Sequence, residues 1–155
     1  MTSTPAAPET PVSEETATYG ISVTLELGYA EATERTRAAL AAQGFGVLTE
    51  IDVAATLKAK LGEQLTPYLI LGACNPVLAH QALVIDPSIG LLLPCNVVVR
   101  ALDDKRTLIA AMDPGVMVTA SGNPDLATVA GQARERLSAA LASLAGGSDT
   151  GMGNS

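Results

Sequence analysis

Tyr68-Leu69-Ile70-Leu71-Gly72-Ala73-Cys74-Asn75-Pro76 decides the fold of this chain. Its first six residues include no charged side chain, so the run predicts a strand apolar on both faces rather than one with a wet side. Asn75 then offers an oxygen to the free N–H groups of a helix, and Pro76 suits the first helical position, which predicts a helix through about Val84.

Upstream, Phe45 to Ile51 reads as a second strand, and Asp52 is placed to cap a short helix through Leu61, stopped at Gly62. Val53, Leu57 and Leu61 form the inner face of that helix. Earlier still, Tyr19, Ile21, Val23, Leu25 and Leu27 alternate with Gly20, Ser22, Thr24 and Glu26, the pattern of a half-exposed strand. Tyr29 to Gln43 is rich in Ala, Glu and Arg, pairs Glu31 with Arg35 at i,i+4 spacing, and meets a helix-stop residue in Gly44.

Downstream, Leu91 to Arg100 reads as a further strand apolar on both faces. A polar turn at Leu102-Asp103-Asp104-Lys105 joins it to Arg106–Met112 as a hairpin. A loop is expected after Asp113-Pro114-Gly115. Asn123-Pro124 repeats the cap-plus-proline signal before the strongest helix, whose Leu126, Val129, Ala130, Ala133, Leu137, Ala140, Leu141 and Leu144 trace one face. The order β-α-β-α-β-α-β-β-α places the chain in the α+β class, a sheet packed by helices and containing an antiparallel hairpin. Two strands apolar on both faces require cover on the second side of the sheet. A short helix can supply it, or a second copy of the chain, and the latter makes a homodimer the expected assembly.

The chain has 155 residues and a net charge of -7. Residues 1–18 are rich in Pro, Thr, Ser, Ala and Glu, and residues 146–155 in Gly, Ser, Asp and Asn, so both ends are expected to be disordered tails. The folded unit is expected over residues 19–145, long enough for one core without staples. Glu9, Glu14, Glu15 and Asp149 lie in the tails, which leaves a net charge of about -3 on that unit. This charge and the lack of a basic stripe argue against nucleic acid and anionic membrane surfaces as partners. Neither a cationic leader nor a run of about 18 apolar residues is present, so a soluble cytoplasmic protein is expected. Its two cysteines are then expected as thiols rather than a disulfide.

Cys74 and Cys95 are the only thiols, and His80 is the only histidine. Cys74 adjoins the proposed helix N-terminus, where the helix dipole favours a thiolate. The competing reading makes it a small buried hydrophobe, and Cys95, in phase with Leu91, Leu93, Val97 and Val99, invites the same reading. If the third and fourth strands are neighbours, both cysteines approach one edge of the sheet. No Cys-x-x-Cys motif is present, so a thiol-redox role for the pair has no motif behind it. His80 lies near an apolar stripe, and with Cys74 and Cys95 it is one ligand short of a closed tetrahedral zinc set. A two-fold dimer could bring two His80 side chains together, offering two imidazoles to a divalent metal or to haem iron. Asn75, Asp52, Glu50 and Asn96 are polar residues at strand ends; Asn75 and Asp52 are explained as caps, and Glu50 is the better functional candidate because capping leaves it unexplained. No complete catalytic motif and no phosphate-cradling Gly-rich loop occurs.

Three blocks, Gly44 to Asp52, Tyr68 to Pro76, and Ile89 to Val97 (Ile-Gly-Leu-Leu-Leu-Pro-Cys-Asn-Val), together with Asp113-Pro114, resemble the family called domain of unknown function 302. The resemblance covers residues 19–145 and implies one compact α+β domain. It brings no substrate, so function has to be argued from the site. The reading that follows is a homodimer binding a small ligand or cofactor, haem and a divalent metal being the candidates, at Cys74, Asn75, His80, Cys95, Asn96 and Glu50, without a reaction of its own. The rivals are a thiol-dependent redox protein using Cys74 and Cys95, and a non-catalytic protein-interaction module.

Overall fold

Five strands, β1 (Gly20–Leu25), β2 (Gly46–Asp52), β3 (Tyr68–Cys74), β4 (Cys95–Ala101) and β5 (Thr107–Met112), pair antiparallel in the order β1-β5-β4-β3-β2. The computed structural model describes residues 16–150. The expected disorder over residues 1–15 and 151–155 lies outside the described residues. β1 and β2 are the two edges, and α1 (Tyr29–Ala42) carries the chain from one to the other. Helix α1 is rich in small residues, and its buried Thr33 and Thr36 hydroxyls donate to the carbonyls of Tyr29 and Ala32 at 2.8 and 2.7 Å. Neither hydroxyl is left unsatisfied, so polar side chains can lie against the core.

Helices α2 (Val53–Leu61) and α3 (Pro76–Ile85) begin where their caps were expected. Asp52 Oδ1 accepts from Ala55 N–H at 2.9 Å, and Asn75 Oδ1 accepts from Leu78 N–H at 3.2 Å. Gly62 ends α2 at φ 73°, a left-handed conformation that favours glycine. The last helix, α5 (Ala127–Thr150), runs five residues past Ala145, so the tail boundary expected at Gly146 does not coincide with the helix end.

Two cores divide the interior. In the main one, Leu71 of β3, Val97 and Val99 of β4 and Ile109 of β5 face Leu40 of α1 and Leu137, Leu141 and Leu144 of α5. The second lies beyond the sheet, where Leu78 and Ala82 of α3 meet Ile89, Met117, Leu126, Val129 and Ala133. Helix α5 therefore belongs to both, its first half closing the second core and its second half the main one. Each fully buried Leu or Ile contributes about 1.5–3 kcal/mol relative to exposure.

Two elements differ from expectation. The strand expected over Leu91–Arg100 begins only at Cys95, because Pro87–Leu92 forms a 3₁₀ helix and Leu93-Pro94 is a cis peptide bond. Asp86 caps that 3₁₀ helix, accepting from Ser88 N–H at 3.0 Å, and Leu91 is 88% exposed instead of sharing the phase of Cys95, Val97 and Val99. An apolar run beside a proline satisfies a strand pattern and a turn equally well, and the missing proline N–H settles where the ladder can start. The loop expected after Gly115 is instead α4 (Gly115–Ser121), set up by Asp113 Oδ1, which accepts from Gly115 N–H at 2.9 Å.

Candidate functional site

The neighbouring strands β3 and β4 place Ala73 opposite Cys95, so Cys74 and Cys95 sit one residue out of register at the same end of the sheet. Both are free thiols. They line one crevice of about 30 Å³ with Phe45, Asn75, Leu78, Pro94 and Met117, under α3 and the first half of α5. Such a volume admits a water molecule or an ion and is far below the several hundred Å³ of a typical small-molecule site. Asn75 is 7% exposed, and its side-chain oxygen is committed to the α3 cap.

Cys95 is 6% exposed. Burial, with a smaller contribution from the neighbouring Cys74, pushes its thiol up to about 11. The proton therefore stays on sulfur at neutral pH, and Cys95 is a weak nucleophile.

The other expected site residues are placed elsewhere. His80 is exposed on α3 and lies outside the lining of the crevice. Among the described residues no group of three or more His, Cys, Asp and Glu side chains could hold a metal ion. Glu50 faces the helical side of the sheet and forms an ion pair with Arg37 of α1, whose hydrogen bond holds the Glu50 carboxyl below the usual carboxylate range. Asn96 points to the opposite face, where it is exposed.

That opposite face is the larger feature. In register, Tyr68 of β3, Arg100 of β4 and Leu108 of β5 form one row across the sheet, and Ile70, Val98 and Ala110 the next. Helices α1 and α5 pack on the other side, so these residues look away from both. All of them but Ile70 floor a groove of about 500 Å³, bordered by Thr16, Tyr19, Met112 and Val116 of α4. Its volume falls in the small-molecule range. Its lining contains no carboxylate and a single cation, Arg100. Sequence reasoning passed over Tyr68, Val98, Arg100 and Ala110 individually, yet the two-faced apolarity of β3 and β4 signalled the surface they make. Met117 carried no signal, because the seven-residue helix that delivers it to the crevice was read as loop.

No helix of the described residues is long and apolar enough to cross a membrane. Among curated proteins none matches the chain. The fold is similar to the crystal structure of an uncharacterized conserved protein DUF302 from Bacillus stearothermophilus, with 32% sequence identity, a TM-score of 0.75, and coverage of 81% of this chain and 98% of that one. The family model described as Domain of unknown function DUF302 matches residues 21–144, and the chain belongs to that family.

Proposed function

We propose that this chain is a non-catalytic binding domain whose working form is a homodimer joined over the Tyr68, Val98 and Ala110 face of the sheet, with a small ligand held in the space that remains between the copies. The observation that carries this reading is the groove of about 500 Å³ floored by apolar strand residues. An apolar sheet face is ordinarily covered by another layer. A chain of net charge -7 repels its own copies, and this face has no carboxylate in its lining to add to that repulsion. A two-fold axis would set each face against its equivalent, the self-complementary arrangement commonest among oligomers.

A second reading, thiol redox chemistry, is favoured by the shared crevice of Cys74 and Cys95. With Cys95 held protonated, that chemistry would have to start at Cys74. A cytoplasmic location, where thiols stay reduced, suits both readings.

Light scattering over a dilution series, on wild type and on Val98→Arg, tests the dimer. Wild type should have twice the chain mass at high concentration and dissociate on dilution, and the variant should be monomeric with an unchanged circular dichroism spectrum. A folded Val98→Arg protein that dimerises like wild type would move the interface off this face, and a wild type that stays monomeric at every concentration would remove the dimer.

A further inference from the structure

We propose that Cys74, Cys95 and Met117 form a binding site for a soft monovalent metal ion, of the class of Cu(I) and Ag(I). Three sulfur-containing residues from three separate elements, β3, β4 and α4, line the same crevice. The remaining lining is apolar apart from Asn75, whose oxygen caps α3. A site offering thiolate and thioether sulfur, with no carboxylate or imidazole in the lining, favours a soft ion such as Cu(I) over the hard Mg(II) or Ca(II). The volume of about 30 Å³ suits a bare ion and no larger group. Zinc in a closed site also requires four donors, and the crevice has three sulfurs.

The charge balance is workable. Binding releases both thiol protons to solvent, forms a metal–sulfur bond to each cysteine, and adds the neutral thioether of Met117 as a third donor. No electron is transferred. The loaded site carries one net negative charge, and Cys74 stands immediately before the N-terminus of the ten-residue helix α3, whose dipole stabilises an anion there. Met117 is 3% exposed and packed in the second core, so little side-chain freedom is left to lose when the ion arrives. The site involves neither His80 nor the open sheet face, and it stands or falls independently of the dimer.

The test is an anaerobic titration of the reduced full chain with Cu(I) against a chromogenic Cu(I) chelator. Wild type should withdraw a single ion per chain from the chelator, and that ion should protect both native thiols from alkylation. Cys74→Ser and Cys95→Ser should each abolish the competition, His80→Ala should leave it unchanged, and Met117→Leu, a volume-conserving change, should keep the fold and weaken binding by about tenfold. X-ray absorption at the copper edge should read a shell of sulfur alone. No withdrawal by wild type, full affinity in a folded Cys95→Ser or Met117→Leu protein, or nitrogen in the metal shell would each overturn the assignment.

Discussion

Thr49 of β2 lies over Gly72 of β3, and its hydroxyl fills the space that a Cβ at Gly72 would need. Pro94 closes the same space from β4's side, its Cγ only 2.9 Å from that Cβ position. The β-bulge in β2 at Leu48, between the Val47 and Thr49 pairings, is what sets Thr49 opposite Gly72. Gly72 is thus fixed by close packing of β2 and the proline that precedes β4 rather than by backbone conformation.

Gly72→Ala should therefore lower stability by about 1–3 kcal/mol, the usual cost of overpacking, despite the smaller entropy that alanine loses on folding. Adding Thr49→Ala should recover part of the loss, because one of the two obstacles is gone. Urea unfolding of the single and double variants measures this coupling, and strictly additive losses would show that Thr49 and Gly72 do not share the space.

The two helix caps differ in burial, which ranks their substitutions. Asn75→Ala should cost roughly 1–2 kcal/mol, and Asp52→Ala roughly 0.5–1 kcal/mol, since Asp52 is exposed and water can replace it at the free N–H group. Thermal unfolding of the two variants gives the order directly.

Cys95 makes stability fall at alkaline pH. Its folded value of about 11 lies above the ordinary 9.0, so the unfolded chain loses its proton first as pH rises. The contribution is fully present below pH 9 and disappears between about 9 and 11, a loss of roughly 2–3 kcal/mol by proton linkage. Cys95→Ala should flatten that part of the curve relative to wild type in denaturant titrations at each pH. Alkylation of the native protein should reach Cys74, the less buried thiol, before Cys95.

Asp113 supplies the acid counterpart. Burial raises its carboxyl, but the Gly115 N–H and the Arg134 guanidinium, at 2.9 and 3.1 Å, outweigh that and hold it below the ordinary range. Its contribution is present above the ordinary carboxylate pKa and is lost as pH falls through the lower folded value. Arg134→Gln should move the Asp113 carbon resonance titration upward in NMR while costing no more than about 1 kcal/mol, because Arg134 is largely exposed.

The strands, caps and long helix were legible because each rests on local chemistry: alternation in β1, Asn75-Pro76 at α3, and Leu137 with Leu141 and Leu144 along α5. The start of β4 was not, because Leu91-Leu92-Leu93 fits a strand until the proline beside it is placed in three dimensions. Cys74, Asn75 and Cys95 were legible as neighbours once β3 and β4 were assumed adjacent. Glu50, His80 and Asn96 were grouped with them by their positions at strand ends and on the following helix, but such proximity along the chain does not determine which face a side chain takes. The alternation of β4 sends Asn96 to the opposite face from Cys95, and the partner of Glu50, Arg37, comes from a helix thirteen residues earlier.

Hydroxyl-radical footprinting tests the central claim most directly, because it reads which face is covered as well as whether the chain associates. Tyr68 and Met112 should be labelled more slowly in concentrated wild type than in Val98→Arg, while Leu91, 88% exposed on the 3₁₀ helix, is labelled equally in both. Equal labelling of Tyr68 and Met112 in the two proteins, or protection that appears at Leu91 instead, would contradict a homodimer built on the open face of the sheet.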